Sequence, residues 1–148
     1  MRRAFIAIAL LLLTAACGPS RLYYWGSTGS GTTRYEDLAY RHYDTQSPES
    51  ICDLVCLYED MVTNPGGTRQ VPPPGICAEY GFLLLQPNTA DIFAQYASRR
   101  QRRMFDSDNY AAIFTHRGEE MLAKEMELYP ESAQFIGPLL KRLKGGTK

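Results

Sequence analysis

Four cysteines, two histidines and a few clusters of charge are the features of this 148-residue chain whose types and spacing bear on chemistry. Cys52 and Cys56 stand four apart in a helical pattern, on one face, where helix geometry holds their β-carbons too far apart for an unstrained bond. Cys77 follows across the next turn. In an oxidising compartment a disulfide from Cys77 to Cys52 or Cys56 is allowed, and three buried thiols acting as small hydrophobes are the equal alternative. Zinc is disfavoured, because paired C-x-x-C spacing is missing and no histidine lies near in sequence. His42 and His116 are far apart and outside any H-E-x-x-H frame. No base stands in evident reach of a serine or cysteine nucleophile, so no catalytic residue, metal or cofactor is assigned.

The remaining clusters read as structure. Gly26 to Thr33 has the glycine spacing of a phosphate loop, but Thr32 stands where the phosphate-reaching lysine belongs, and a flexible tether is the better account. Glu119, Glu120, Glu125 and Glu127 alternate with Met121, Leu122, Met126 and Leu128 in helical fashion, as on a solvated face. Arg99, Arg100, Arg102 and Arg103 form a basic cluster suited to an anionic contact, with a solvated helix end as the plainer reading.

Cys17 differs from the other thiols in its setting. Arg2 and Arg3 precede an apolar run, Ala4 to Leu13, that is too short to span a bilayer and has the form of a signal-peptide core. Leu13-Thr14-Ala15-Ala16-Cys17-Gly18 then resembles a bacterial lipobox, with Thr14 where Leu or Val is commoner. The resemblance implies cleavage before Cys17 and acylation of its thiol, palmitate-type chains included, several of which hold a membrane more firmly than one. An ordinary secretory signal cut after Ala16, or a retained anchor, are the alternatives. Gly18 is not the Asp associated with inner-membrane retention, so the expected place is the outer membrane, facing the periplasm. Cleavage leaves 132 of the 148 residues, enough for one domain. Arg2 and Arg3 leave with the signal, so 14 basic residues face 16 acidic ones, a net charge of −2 that speaks against nucleic acid.

The elements that must position these residues all have helical period. After a tether carrying one aromatic knot, Tyr23-Tyr24-Trp25-Gly26, expected to pack on the chain's own helices, with a place at the headgroup level or a docked partner as the alternatives, Tyr35 to Tyr43 has helical spacing. Ser47-Pro48 opens a stripe of Ile51, Leu54, Val55, Tyr58, Met61 and Val62, which Asn64-Pro65-Gly66-Gly67 stops. Ile76 to Leu84 is apolar almost all round and reads as the central buried helix, closed by Gln86-Pro87. Asn88 with Asp91 looks like the next helix start, with Ile92, Phe93 and Tyr96 as its apolar face, before a polar break from Phe105 to Tyr110. Further helices are expected from about Gly118 to Tyr129 and from Glu131 towards Leu143, with Pro138 kinking the last and Gly145-Gly146 ending it. No stretch alternates at period two for long. The expected fold is therefore all-α, antiparallel helical hairpins: residues 1–16 signal peptide, 17–33 lipidated tether, 34–148 helical repeat-like domain. The tether, extended, reaches roughly 50 Å.

An ordered set of these segments resembles an uncharacterised bacterial lipoprotein family known as domain of unknown function 4810. The set comprises the lipobox, Leu22-Tyr23-Tyr24-Trp25-Gly26, Ser47-Pro48-Glu49-Ser50, Val71-Pro72-Pro73-Pro74-Gly75, Ala78-Glu79-Tyr80-Gly81-Phe82-Leu83 and Lys124 to Ser132. Ile76 to Leu84 with Leu122 and Pro130 also looks like a tetratricopeptide unit, Tyr80-Gly81 at its Leu-Gly positions and Tyr129-Pro130 at its close, interrupted by residues from about Pro87 to Arg117. Members of the family are commonly encoded beside a lipoprotein resembling the curli-secretion channel, which implies an accessory role with envelope lipoprotein partners. Hairpin-repeat domains bind proteins through grooved surfaces, which suits that role. The competing expectation is an envelope thiol-redox or metal-binding protein using Cys52, Cys56 and Cys77.

Overall fold

The computed structural model describes residues 20–26, 31–105 and 109–145. Residues 1–16, Cys17, 27–30 of the glycine-serine run, 106–108 and Gly146 lie outside the described residues. Within them the chain is all-α, with seven α-helices, one 3₁₀ turn and no strand. None of these helices is long and apolar enough to cross a membrane.

Local chemistry sets the first hairpin. The Thr33 hydroxyl accepts the Glu36 N–H at 3.2 Å while the Glu36 carboxylate accepts the Thr33 N–H at 2.7 Å, a reciprocal cap that opens α1 (Arg34–Thr45). Gln46 turns the chain at φ 45°, and Ser47 then caps α2 (Pro48–Thr63) by accepting the Ser50 N–H at 3.1 Å. The predicted stripe of α2 is buried from Leu54 to Val62, and Ile51 only partly so. Full burial of Val55, Leu57 and Met61 contributes about 1.5–3 kcal/mol each relative to exposure. Tyr35 meets Tyr58 and His42 meets Ser50, so α1 and α2 run antiparallel.

The second hairpin joins α3 (Ile76–Leu84) to α6 (Tyr110–Leu128), the most extensive helix pair among the described residues. Glu125 bonds to Gly75 and Ala78 at one end, and Gly118 meets Gly81 and Leu85 towards the other, which makes this pair antiparallel as well. A β-carbon on Gly81 would stand 2.7 Å from the Gly118 carbonyl oxygen, and one on Gly118 would stand 2.6 Å from Leu85 Cγ. The two backbones approach because neither crossing residue carries a side chain. Between these helices, α4 (Thr89–Tyr96) and the one-turn α5 (Arg99–Arg102) form the insertion. It is packed: Phe93, Phe105 and Phe114 stack edge to face at 5.2–5.3 Å, and Tyr110 closes the group. A 3₁₀ turn (Pro130–Ser132) leads into α7 (Ala133–Gly145), which lays Ile136 and Leu140 on Leu122 and runs through Pro138.

Several expectations are corrected. Helix α6 begins at Tyr110, capped by Asn109, not near Gly118, so Arg117 belongs to the hairpin and not to the insertion. Phe105 and Tyr110 are core residues, not parts of a polar break. Helix α3 is central but open on one side, where Phe82 is 55% exposed. Asn88 precedes α4 without a side-chain cap, and Tyr96 faces outward. Glu131 lies in the 3₁₀ turn ahead of the last helix.

Contacts of the helical body extend upstream of residue 34. Residues 21–26 are bonded to the helical body: the Arg21 and Leu22 carbonyls accept from the Thr68 and Arg69 N–H groups at 3.0 and 3.1 Å, and those of Trp25 and Gly26 accept from Tyr35 and Arg34. Since α1, α2, α3 and α6 alternate in direction, this amino-terminal strap lies at the end of the bundle where α1 and α3 start and α2 and α6 finish.

Candidate functional site

That end gathers the segments that are far apart in sequence. Trp25 is half-buried with its ring 5.2 Å from Tyr35, and Gly26, at φ 71°, leaves no room for a β-carbon beside Arg34. Tyr24 packs on Gly66, and Gly67, at φ 78°, passes directly under the Leu22 carbonyl. Tyr23 lies beneath the Arg69 guanidinium at 5.8 Å and beside Tyr129, whose hydroxyl donates to the Pro72 carbonyl at 2.6 Å. Burial, and then the neighbouring Tyr23, pushes the Tyr129 hydroxyl well above its ordinary range. The structure thus joins Tyr23, Tyr24, Trp25 and Gly26 with Tyr129 in one corner, while Pro130 stays exposed at its edge. Tyr80 and Gly81 are buried inside the bundle and serve packing.

From that corner a row of rings runs inward, Trp25, Tyr35, Tyr58 and Tyr80, with successive centroids 5.2, 6.2 and 5.8 Å apart. Carboxylates hold its hydroxyls. Glu79 accepts from Tyr35 at 2.9 Å and Tyr58 at 2.8 Å, and Glu59 accepts from Tyr80 at 2.7 Å and from both Nε and Nη2 of Arg117. Burial, and then the Glu79 carboxylate, pushes Tyr35 up to about 12; burial raises Tyr58 and Tyr80 as well, reinforced by Glu79 on Tyr58 and by Glu59 on Tyr80. These phenols are donors locked in place, not acids poised near neutrality. Burial opposes the charge of Arg117, but its bonds to Glu59 and Glu120 outweigh that and leave it raised.

Cys52, Cys56 and Cys77 are free and buried, and no bridge joins Cys77 to Cys52 or Cys56. Their surroundings penalise the thiolate: burial, reinforced by neighbouring acidic groups, lifts Cys52 to about 11, while Cys56 and Cys77 rise to about 12. Such a thiol is a poor nucleophile and metal ligand. Among the described residues no group of three His, Cys, Asp or Glu is placed to hold a metal.

These shifts carry a pH prediction. Each folded value lies above the ordinary 9.0 of the thiols or 10.0 of Tyr35, so the stability they contribute is complete below those values and is lost as pH rises towards about 11–12. Far-UV circular dichroism should hold to about pH 9 and then collapse together with the rise of thiolate absorbance. Thiolates that appear near pH 9 with the helices intact, or a bridged Cys77 in non-reducing mass mapping, would refute the buried-thiol arrangement.

The arginine cluster is not gathered at one point. Arg102 folds back to donate to the Ala97 and Gln95 carbonyls, Arg99 and Arg103 stay exposed, and Arg100 lines a cleft of about 760 Å³ whose walls also carry Arg34, Asp53 and Asp60. Mixed charge there favours no single sign of ligand. Two arrangements escaped the sequence pattern. His42 Nδ1 lies 2.8 Å from Ser50 Oγ across the first hairpin, but the serine hydroxyl donates to the Ser47 carbonyl at 2.7 Å and is buried, so the pair fastens a helix start. Glu125 is 2% exposed, not on a solvated face, and its two oxygens accept the Gly75 and Ala78 N–H groups at 2.7 and 3.3 Å. It supplies, from 50 residues away, the cap that Gly75 cannot give α3.

No protein-family model, curated protein sequence or solved structure matches this chain.

Proposed function

We propose that this chain is a non-enzymatic, lipid-anchored adaptor of the bacterial envelope, acylated at Cys17 on the periplasmic face of the outer membrane, where it holds partner lipoproteins. One observation carries the reading: Tyr40 and Tyr43, three apart on α1, are 74% and 82% exposed on a helix whose other side is pinned by Leu38, Tyr35 and His42. Tyrosines presented on a rigid face supply large contact area at little entropic cost, and they are frequent anchors of protein interfaces. By contrast, Glu59, Glu125, Arg117 and the three thiols are engaged inside the fold, and the exposed Glu79 carboxylate is taken up by the Tyr35 and Tyr58 hydroxyls. The likeness to domain of unknown function 4810 supports a partner related to the curli-secretion channel.

A photoreactive residue placed at position 43 in growing cells should crosslink to an envelope lipoprotein identified by mass spectrometry. Tyr40→Ala with Tyr43→Ala should lower the co-purified partner by about tenfold or more, the loss expected of one strong anchor. A chain that remains solitary in mild detergent, with or without the substitutions, overturns the adaptor reading.

A further inference from the structure

We infer that the corner built from Arg21, Leu22, Tyr23 and Arg69 rests on the headgroup region of the membrane that holds Cys17, so that the domain is seated on the lipid and not suspended above it. The inference rests on the acylation proposed for Cys17. Its first support is the point at which the chain becomes bound. Arg21 is already fixed through its carbonyl to the Thr68 N–H, so only Gly18, Pro19 and Ser20 separate an acylated Cys17 from the body. Four peptide steps span at most about 14 Å fully extended, against the roughly 50 Å of a tether running to α1. A surface held that near lies within about two Debye lengths of the headgroups at physiological salt.

The second support is what the corner presents. Leu22 is 56% exposed although its carbonyl is engaged, and Arg21, Thr68, Arg69 and Gln70 around it are exposed. The Arg69 guanidinium is stationed over the Tyr23 ring at 5.8 Å. Two guanidiniums flanking an outward leucine and a half-buried tyrosine match an anionic headgroup layer: arginine pairs with phosphate, leucine enters the acyl boundary, and an amphipathic ring sits at the interface. The Gly66-Gly67 turn holds the set in place, because a β-carbon on Gly67 would lie 2.5 Å from the Leu22 oxygen. Orientation follows. Tyr43 lies near the α1–α2 turn, at the opposite end of the first hairpin, so seating this corner turns the exposed tyrosine face away from the lipid.

The test uses the full, acylated chain, extracted in detergent and reconstituted into vesicles of phosphatidylethanolamine and phosphatidylglycerol. An environment-sensitive fluorophore is attached in separate preparations through Leu22→Cys or Tyr43→Cys, the three native thiols being buried. Brominated lipid should quench the label at 22 at least about twice as strongly as the label at 43, and Arg21→Glu with Arg69→Glu, or vesicles of phosphatidylcholine alone, should narrow the difference while the chain stays bound. Equal quenching at both positions in a chain whose Cys17 carries acyl groups by mass spectrometry overturns the seating alone. A Cys17 without acyl groups overturns the anchoring reading and the seating with it.

Discussion

Glu125→Ala is expected to destabilise the folded chain by about 2–4 kcal/mol, since two helix-terminal donors lose a charge-assisted acceptor and each orphaned group costs about 1–3 kcal/mol. The carboxylate is almost wholly buried, and both its oxygens are engaged at the start of α3, on Gly75 and Ala78. Gly75 has no side chain to replace it and stands at φ 89°, where most other residues would be strained. Glu125→Gln keeps one acceptor oxygen and should lose about half as much. Urea unfolding followed by far-UV circular dichroism, with an unchanged slope against denaturant, measures both. An alanine variant within about 0.5 kcal/mol of the native chain would show that the contact does not hold the second hairpin together.

Arg117→Ala should cost a similar amount, about 2–4 kcal/mol, slightly below the loss typical of a fully buried pair broken on one side. Arg117 and Glu59 retain 23% and 16% side-chain exposure, so water screens part of the interaction. Removal of the guanidinium leaves the Glu59 carboxylate with two neutral donors, the Tyr80 and Thr63 hydroxyls at 2.7 and 3.0 Å, and no charge to balance it. Adding Glu59→Gln should recover about 1–2 kcal/mol, because the stranded charge goes too. Glu120→Gln, which removes the more exposed partner, should change stability by less than about 0.5 kcal/mol. Strictly additive losses at positions 59 and 117 would show that the two side chains are not coupled.

Those two predictions concern contacts that no local pattern announces, and this marks where the sequence was readable. Helix α2 was legible because its cap, its first-turn proline and its apolar stripe all lie within sixteen consecutive residues. The all-α class followed from the same periodicity repeated along the chain. The first two turns of α6 were missed because Gly118 reads locally as a breaker, whereas its lack of a side chain serves the close crossing with Gly81, 37 positions earlier. Glu125 likewise looks like any carboxylate on a polar face until α3 is laid beside it. The aromatic knot was expected to pack inward, and Trp25 does, yet nothing in Ser20 to Gly26 indicates that its carbonyls are claimed by the 67–69 turn and the start of α1. Of the sites, the cysteine pairing was left open between a bridge and buried thiols, and the packing around Cys52, Cys56 and Cys77 sides with the thiols.

The strap that ties Leu22 to Arg69 and lays Tyr23 beside Tyr129 also sets a clock. Synthesis delivers Arg21 to Gly26 long before Tyr129, so the corner cannot close until nearly the whole domain has been made. Under the acylation proposed for Cys17, a peptidase and an acyltransferase would meet the chain before this corner has closed. Connectivity therefore makes the corner one of the last parts of the fold to form.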